Sequence, residues 1–279
     1  MSDDPRSSDS MLVAVGQFAP GADPEANLAE IERLAERAAA RGAAIAVFPE
    51  YSSFFEPDLG PRYVELAQPL DGPFVTGLGR IAARLGIHVV AGLVQSTGTD
   101  RFSNTLVAVA PTGSVVATYR KLHLYDAFGS TESDWVVPGD IEAPETFEVG
   151  GFIVGLQTCY DIRFPEVTRT LVDAGVEVVL LPAEWVRGPL KEHHWRTLVT
   201  ARAIENTVYI AAADHVPPVG VGNSMVVDPF GVEIAAIGDE AGIALGEVTR
   251  ARIDGVRRVN PALALRRFRV AEGAPVVTG

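Results

Sequence analysis

The sequence predicts an α/β fold of four layers, an α-β-β-α sandwich in which two mixed sheets pack between outer helices. The order strand, helix, strand, helix, strand and hairpin occurs twice along the 279 residues, which predicts two halves with pseudo-two-fold internal symmetry. Right-handed crossovers place both helices of each half on one face of its sheet, so the other face is free to pack on its counterpart. The alternative interpretation of this pattern is a single doubly wound sheet.

The first half begins with an apolar run of strand length at 12–18. Asp23 and Pro24 then supply an N-cap and a first-turn proline, and apolar residues recur at helical spacing up to Gly42, a C-terminal cap. Predicted strands at 43–48 and 87–94 flank a second helix at 74–85, and hairpin strands at 105–110 and 114–119 surround Pro111-Thr112-Gly113.

The second half repeats this order after residue 150. Strands are predicted at 152–158, 176–181 and 207–213, helices at 165–174 and 191–205, and hairpin strands at 223–227 and 232–236 around Pro229-Phe230-Gly231, with 243–247 as a further candidate strand. Residues 1–10 are polar and acidic, which predicts a disordered tail and no signal peptide. Residues 11–279 are predicted to form one domain.

Composition excludes several classes of function. The net charge of -13 disfavours binding to nucleic acid and to anionic membranes, and no apolar stretch reaches the ~18 residues that span a bilayer. A single cysteine allows no disulfide framework, and no CxxC or His-x-His array predicts a metal site. We therefore expect a cytoplasmic protein that needs no metal or other cofactor.

A basic arm at about 250–279 contrasts with the acidic remainder. Its arginines are Arg250, Arg252, Arg257, Arg258, Arg266, Arg267 and Arg269. Guanidinium groups suit carboxylates on a partner surface, which favours a contact between subunits. A solvated tail is the equally weighted alternative.

Three residues stand where the predicted strands end. Glu50 follows Phe48-Pro49, Lys121 comes just after the first hairpin, and Cys159 closes the first strand of the second half. Open α/β sheets place their chemistry at the carboxyl ends of strands, so the packing of the two halves predicts that these residues meet at one rim. Taken singly, each has an ordinary explanation, as a solvated acid, a loop cation and a buried thiol, respectively.

Together the motifs resemble those of the nitrilase, or carbon-nitrogen hydrolase, superfamily. The stretches that carry the resemblance are Val47-Phe48-Pro49-Glu50, Tyr119-Arg120-Lys121-Leu122-His123-Leu124-Tyr125-Asp126, Thr158-Cys159-Tyr160-Asp161-Ile162-Arg163-Phe164-Pro165-Glu166, Glu132-Ser133-Asp134, Ala201-Arg202-Ala203-Ile204-Glu205-Asn206 and Gly222-Asn223-Ser224. The chain is most similar to the small omega-amidase-like amidohydrolases. The resemblance implies the same four-layer sandwich, a catalytic set of Glu, Lys and Cys in this order, and commonly a homodimer.

In that set, Cys159 is the nucleophile, which needs a neighbouring base and cation because its thiol is mostly protonated at neutral pH. Glu50 is the expected base, and Lys121 with the Tyr160 backbone N–H is expected to hold the oxyanion. Glu132 resembles the second glutamate of the family, which orients the lysine or the substrate. Its alternative is an ordinary loop acid.

The remaining candidates concern the substrate pocket. Glu184 and Trp185 follow a second-half strand that corresponds to the one before Glu50, and we expect them to shape the site, with a packing Trp beside a solvated Glu as the alternative. His123 is expected to form a supporting hydrogen bond and not a Cys-His pair. Arg163 is expected to anchor a carboxylate such as that of Glu166.

The expected function is an amidohydrolase that cleaves the carbon-nitrogen bond of a small amide, a carboxylic monoamide, through a cysteine thioester and releases ammonia. An N-carbamoyl amino acid hydrolase or a nitrilase is the alternative within the family. A binding or scaffold protein that keeps the sandwich without turnover is the alternative from a different class, and no residue favours it.

Overall fold

A computed structural model describes residues 9–271. Its strands are β1 (Ser10–Gln17), β2 (Ala43–Val47), β3 (His88–Ser96), β4 (Phe102–Val109), β5 (Val115–Arg120), β6 (Thr146–Val149), β7 (Phe152–Leu156), β8 (Val178–Pro182), β9 (Tyr209–Ala213), β10 (Met225–Val227), β11 (Glu233–Ala236) and β12 (Gly242–Thr249). Its α-helices are α1 (Pro24–Ala39), α2 (Pro61–Leu66), α3 (Pro73–Leu85), α4 (Pro165–Asp173), α5 (Lys191–Asn206) and α6 (Arg250–Val259). Two short 3₁₀ turns cover Glu132–Asp134 and Cys159–Arg163.

The strands form two six-stranded mixed sheets with corresponding orders. The first sheet runs β12-β1-β2-β3-β4-β5 and the second runs β6-β7-β8-β9-β10-β11 when its edges are aligned with the first. In each sheet three parallel strands stand at the centre, an antiparallel hairpin follows on one side, and one antiparallel strand lies on the other. The repeated order expected from the sequence is therefore present strand for strand.

Three apolar clusters separate the layers. The central cluster joins side chains of both sheets, among them Val13, Ile45, Val154 and Leu180. A second cluster packs α1 and α3 on the outer face of the first sheet, and a third packs α4 and α5 on the outer face of the second. This arrangement confirms the α-β-β-α prediction and excludes one doubly wound sheet.

The structure adds three elements that the sequence pattern did not predict. Strand β6 has four residues and helix α2 has six, lengths too short to show a period. Helix α6 is strongly polar and buries just Ile253 and Val256, so the apolar signal that marks a core helix is weak. Among residues 9–271, no helix combines the length and the apolar character required to cross a membrane.

Three arginines of the basic arm form ion pairs within their own chain. Arg250 pairs with Glu177, Arg252 with Asp228 and Arg266 with Asp173. These three arginines therefore contact acids of their own chain, and a contact of the arm with a partner subunit stays a prediction. Most of the expected N-terminal tail, residues 1–8, lies outside the described residues, and Ser10 already begins β1.

Candidate active site

Glu50, Lys121 and Cys159 lie just beyond strands β2, β5 and β7. Glu50 and Lys121 come from the first sheet and Cys159 from the second, and the packing of the sheets brings them to one site. Lys121 Nζ donates a hydrogen bond of 2.9 Å to Glu50 Oε1. Lys121 and Cys159 both line one cavity, so the predicted meeting of the three strand ends is observed.

The backbone of Glu50 is fixed from two sides. Gly92 on β3 lies beneath it, and a Cβ at Gly92 would stand 2.8 Å from the Glu50 Cα, so the close approach requires a glycine. His215, which follows β9, contacts the Glu50 carbonyl oxygen with Nε2 at 2.7 Å. Burial lowers the pKa of His215 to about 4, so the ring is neutral near pH 7 and donates this hydrogen bond from Nε2–H.

A buried network joins Glu50 to Glu132. Lys121 Nζ lies 2.9 Å from an oxygen of each carboxylate. Asn104 Nδ2 donates to Glu50 Oε1 at 2.6 Å and to Glu132 Oε1 at 3.1 Å. Glu132 also accepts from the Tyr51 hydroxyl at 2.7 Å and from the Tyr125 backbone N–H at 2.5 Å. Glu132 is therefore a buried member of the site and not a solvated loop acid.

The pKa values of the two carboxylates in this network shift in opposite directions. Burial raises the pKa of Glu50, and the charge of Glu132 adds to the rise against the opposing charge of Lys121. Burial also acts on Glu132, but Lys121 and the donors from Tyr125 and Tyr51 outweigh it and lower the pKa of Glu132. Of the two, Glu132 favours the ionised form, and Glu50 is the carboxyl group that takes up a proton more readily.

Lys121 remains charged in spite of its burial. Its side chain is 2% exposed, and burial alone would favour the neutral amine. The charges of Glu132 and Glu50 outweigh this and raise the pKa of Lys121 well above its usual value. A fixed ammonium group beside the cavity is the charge that an oxyanion needs.

Cys159 sits on a strained turn between β7 and α4. Its φ of +42° is in the left-handed region, which is uncommon for a residue with a side chain. Backbone strain of this kind is concentrated at functional sites, so the conformation indicates a functional role for the turn. Asp161 holds this turn to the segment around Lys121, because its carboxylate accepts from the Tyr119 hydroxyl at 2.7 Å and from the His123 backbone N–H at 3.0 Å. His123 Nδ1 also lies 2.8 Å from Asp161, which is the supporting role expected for His123.

The thiol of Cys159 is protonated at rest. Burial and then the charge of Glu50 raise the pKa of Cys159 well above the usual thiol value, while Lys121 acts in the opposite direction. The residue is 5% exposed and packs on the apolar cluster of the second sheet, yet it also lines the cavity. Cys159 Sγ contacts the Glu184 carbonyl oxygen at 3.5 Å. Nucleophilic attack at this site therefore requires a base that removes the thiol proton.

A cavity of about 500 Å³ opens above these residues. Tyr160, Glu184 and Trp185 line it, as expected for residues near the substrate. The loops at 55–59, 129–135 and 184–187 supply much of its wall. The Glu184 backbone N–H also donates to Glu50 Oε2 at 2.6 Å, so the loop after β8 helps to fix the acid of the opposite sheet.

The position of Arg163 differs from the expectation. The structure has no ion pair between Arg163 and Glu166 within residues 9–271, and the guanidinium carbon lies 4.9 Å from the centre of the Trp185 ring. Arg163 ends the turn that begins at Cys159, whereas Glu166 already belongs to the first turn of α4. Closeness in sequence was therefore a poor guide to the partner of this side chain.

Sequence reasoning also missed Asn104 and Lys191. Asn104 lies near the start of β4. The sequence feature that could have identified it is its place at the beginning of a hairpin, because the second hairpin has an Asn at the corresponding position 223. Lys191 was placed at the start of a helix, but nothing in the pattern showed that its side chain enters the cavity. Within residues 9–271 there is no group of three or more His, Cys, Asp or Glu side chains arranged to hold a metal ion.

Two sheets that bring a Glu, a Lys and a Cys together at their strand ends define an enzyme of the carbon-nitrogen hydrolase class. The chain belongs to the carbon-nitrogen hydrolase family, whose sequence model matches residues 12–258. A relative from Escherichia coli O157:H7, named deaminated glutathione amidase, is 42% identical over 258 residues, which cover 92% of this chain and 98% of the relative. These matches confirm the family resemblance of the motifs.

Solved structures agree with this assignment. Saccharomyces cerevisiae Nit3, a member of the nitrilase superfamily, matches with a TM-score of 0.83 at 26% identity and covers 96% of this chain and 100% of its own. An amidase of the same superfamily from Nesterenkonia sp. AN1 matches with a TM-score of 0.76 at 29% identity, covering 94% of this chain and 99% of its own. In a variant of that amidase, the acetamide moiety of fluoroacetamide is covalently attached to the active-site cysteine.

Proposed function

We propose that this enzyme hydrolyses a small linear amide, a carboxylic monoamide, and releases ammonia through a thioester on Cys159. The observation that carries the proposal is the buried contact of Lys121 Nζ with both Glu50 and Glu132, 2.9 Å from each, at the wall of the cavity that Cys159 also lines. The names of the relatives support an amide as substrate.

In the first half of the proposed reaction, ionised Glu50 removes the thiol proton while Cys159 Sγ attacks the amide carbonyl carbon. The S–C bond forms, the carbonyl π electrons move to oxygen, and the oxyanion is held by Lys121 and by the Tyr160 backbone N–H. Glu50 then gives its proton to the amide nitrogen, and the C–N bond breaks. Ammonia leaves and a thioester remains on Cys159.

In the second half, Glu50 removes a proton from water while the water oxygen attacks the thioester carbon. The C–S bond breaks, Glu50 passes the proton to the thiolate, and the product leaves as a carboxylic acid that loses its own proton to water. This assignment gives Glu50 the proton-carrying role because burial raises its pKa, whereas the pKa of Glu132 is lowered. Glu132 acts as a positioning residue that keeps Lys121 charged and in place.

The test is ammonia release from three substrate classes: primary amides, nitriles and N-carbamoyl amino acids. We expect the highest kcat/KM for a primary amide such as succinamate, and loss of activity by roughly 10⁴-fold or more in Cys159→Ala. Acid quenching of the wild type during turnover is expected to trap an acyl adduct on Cys159 by mass spectrometry. Full activity of Cys159→Ala contradicts the nucleophile, and a preference for nitriles or carbamoyl compounds contradicts the substrate class.

We also propose that residues 11–279 act as one domain in a homodimer. The central apolar cluster supports one domain, because it takes residues from both sheets. A single unfolding transition and a mass of twice the chain by light scattering are the expected results. Two transitions, or a monomer at all concentrations, contradict the respective statements.

A further inference from the structure

The main chain of Glu184 contacts two of the catalytic residues at once. Its N–H donates to Glu50 Oε2 at 2.6 Å, and its carbonyl oxygen lies 3.5 Å from Cys159 Sγ. The first contact stabilises the ionised form of the base, and the second accepts the S–H group of the resting thiol. The position of this short segment after β8 therefore influences both the base and the nucleophile of the proposed reaction.

Asp214, which follows β9, holds the peptide unit between Glu184 and Trp185. Its Oδ1 accepts from the Trp185 N–H at 2.7 Å. This peptide is trans, so its N–H and C=O lie in one plane and point in opposite directions. A carboxylate that fixes the Trp185 N–H therefore also aims the Glu184 carbonyl at the thiol. Asp214 is fully buried and is not among the residues of 9–271 that line the cavity, so it acts through this peptide and not by contact with a substrate.

The other oxygen of Asp214 fixes a second segment that contacts Glu50. Oδ2 accepts from the Val221 N–H at 2.9 Å. Val221 ends a loop that begins at His215, whose ring holds the Glu50 carbonyl at 2.7 Å, and the Gly222 N–H closes this loop on the His215 carbonyl at 3.0 Å. Asp214 is thus tied to two segments that reach Glu50 from the second sheet.

Asp214 has no cation to balance its charge. No Lys, Arg or His of residues 9–271 forms an ion pair with it. Burial raises the pKa of Asp214 well above its usual value, and the backbone N–H groups of Trp185, His215 and Val221 act in the opposite direction. A buried acid without a cation is costly, so a role in stabilising the fold explains this residue poorly.

Ser224 holds Asp214 itself in place. The Asp214 backbone N–H donates to Ser224 Oγ at 2.9 Å, and Ser224 Oγ donates to Gln17 Oε1 at 2.6 Å. Gln17 ends β1, and both Gln17 and Ser224 are fully buried. A chain of buried hydrogen bonds therefore runs from the first sheet through Ser224 and Asp214 and returns to the first sheet at Glu50.

We propose that Asp214 is a positioning residue of the reaction, which sets the places of the Glu50 carboxylate and the Cys159 thiol through the main chain of Glu184. This inference rests on the proposed amidase function and adds a residue that touches neither the substrate nor the reacting atoms. Asp214 takes no part in the proton transfers.

Asp214→Asn tests this assignment. A carboxamide has one oxygen, so the N–H of either Trp185 or Val221 would face an NH₂ group and must move. We expect kcat for succinamate to fall roughly 10- to 100-fold, because a displacement of about 1 Å in a catalytic group has effects of this size, while KM changes by less than roughly threefold. Circular dichroism should show that the variant is folded at the assay temperature. An unchanged kcat overturns the inference.

Asp228→Asn is the matched control. Asp228 is also a buried acid that accepts from backbone N–H groups, those of Phe230 at 2.8 Å and Val232 at 2.9 Å, but its other partner is Arg252 on α6. Its substitution should lower the unfolding temperature and leave kcat nearly unchanged. A similar fall of kcat in both variants would mean that general destabilisation causes the loss, and the inference would be wrong.

Ser224→Ala is a second and smaller perturbation of the same contacts. It keeps the Asp214 carboxylate and removes the acceptor of the Asp214 N–H, so kcat should fall roughly 3- to 10-fold with little change in KM. If Asp214→Asn does not fold, this variant decides. An unchanged kcat of Ser224→Ala then contradicts the inference.

Hydrogen exchange separates this inference from the proposed function. The Glu184 amide is bonded to Glu50 and not to Asp214, so its exchange reports on the contact that Asp214 is proposed to maintain. By NMR we expect it to exchange at least roughly 10-fold faster in Asp214→Asn than in the wild type or in Asp228→Asn. If the wild type releases no ammonia from any amide, the amidase proposal fails, and the exchange rates alone decide. Faster exchange supports the positioning role, and equal rates overturn it.

Discussion

The two halves of the molecule place a glutamate after corresponding strands, yet the two carboxylates have different surroundings. Glu50 follows β2, is 1% exposed, and accepts hydrogen bonds from Lys121, Asn104 and the Glu184 backbone. Glu184 follows β8 and is half-buried, and its carboxylate accepts no hydrogen bond from the described residues. Burial raises the pKa of both, well above the usual value for Glu184.

One difference between the two halves is the residue that follows each hairpin. Lys121 follows β5 and its backbone N–H donates to the Asn104 carbonyl at 2.9 Å, while Ile237 follows β11 and donates to the Ser224 carbonyl at the same distance. The backbone geometry is thus repeated, but one half carries an ammonium group where the other carries an aliphatic side chain. The repeated fold supplies the position of each glutamate, and the side chains of the neighbouring strands decide its chemistry.

The largest expected effect separates the two glutamates directly. Glu50→Gln removes the group that carries the thiol proton, so kcat/KM should fall roughly 10³-fold or more. Glu184→Gln preserves the size of the side chain and removes a charge that has no charged partner. We therefore expect kcat/KM to fall by less than roughly 10-fold, mainly through KM. Ammonia release from succinamate measures both variants, and equal losses would show that the two strand ends are functionally alike.

Much of this comparison was predictable from the sequence, because the strand ends are marked by apolar runs and by Pro. The sequence pattern of strand ends predicted that Glu50, Lys121 and Cys159 lie at one rim. It did not reveal Asn104 or the cavity contact of Lys191, since side-chain directions across two packed sheets depend on tertiary packing and not on local period. The prediction of a carboxylate partner for Arg163 was wrong for the same reason, because its partners are the aromatic rings of distant loops.

A second prediction concerns His215, which fixes the Glu50 carbonyl. The Glu184 carbonyl oxygen contacts Cys159 Sγ at 3.5 Å instead, and Asp214 accepts from the neighbouring Trp185 backbone N–H at 2.7 Å. The folded protein protonates His215 only near pH 4, while the unfolded chain does so near the ordinary value of 6.5. Below pH 6.5 the unfolded state therefore binds an extra proton, and stability is lost progressively as the pH falls toward 4.

The size of this loss follows from the difference between the two values and is about 3 kcal/mol when fully developed. Urea unfolding of the wild type and of His215→Gln between pH 7 and pH 4 measures it, since the variant retains an amide donor but no titrating ring. As the pH falls from 7 to 4, the free energy of unfolding should decrease more for the wild type than for His215→Gln. A difference that stays constant with pH would show that His215 does not titrate as its burial requires.

The smallest expected effect concerns the charge of Glu184 on the nucleophile. Burial is the largest cause that raises the pKa of the Cys159 thiol. The negative charges of Glu50 and Glu184 raise this pKa further, and Lys121 lowers it. Glu184→Gln removes one negative charge, so the thiol pKa should fall and the alkylation rate by iodoacetamide should begin to rise at a lower pH. Cys159 is the single cysteine of the chain, so the rate reports on one thiol.

Glu192→Gln is the control for this measurement, because Glu192 is exposed in the first turn of α5 and its charge is screened by water. Its alkylation profile should coincide with that of the wild type. A profile of Glu184→Gln that also coincides would mean that the second glutamate is electrostatically isolated from the thiol. The two halves would then differ in the electrostatic effect of their glutamates as well as in the hydrogen bonds of the two carboxylates. Of the two glutamates, only Glu50 would influence the pKa of the Cys159 thiol.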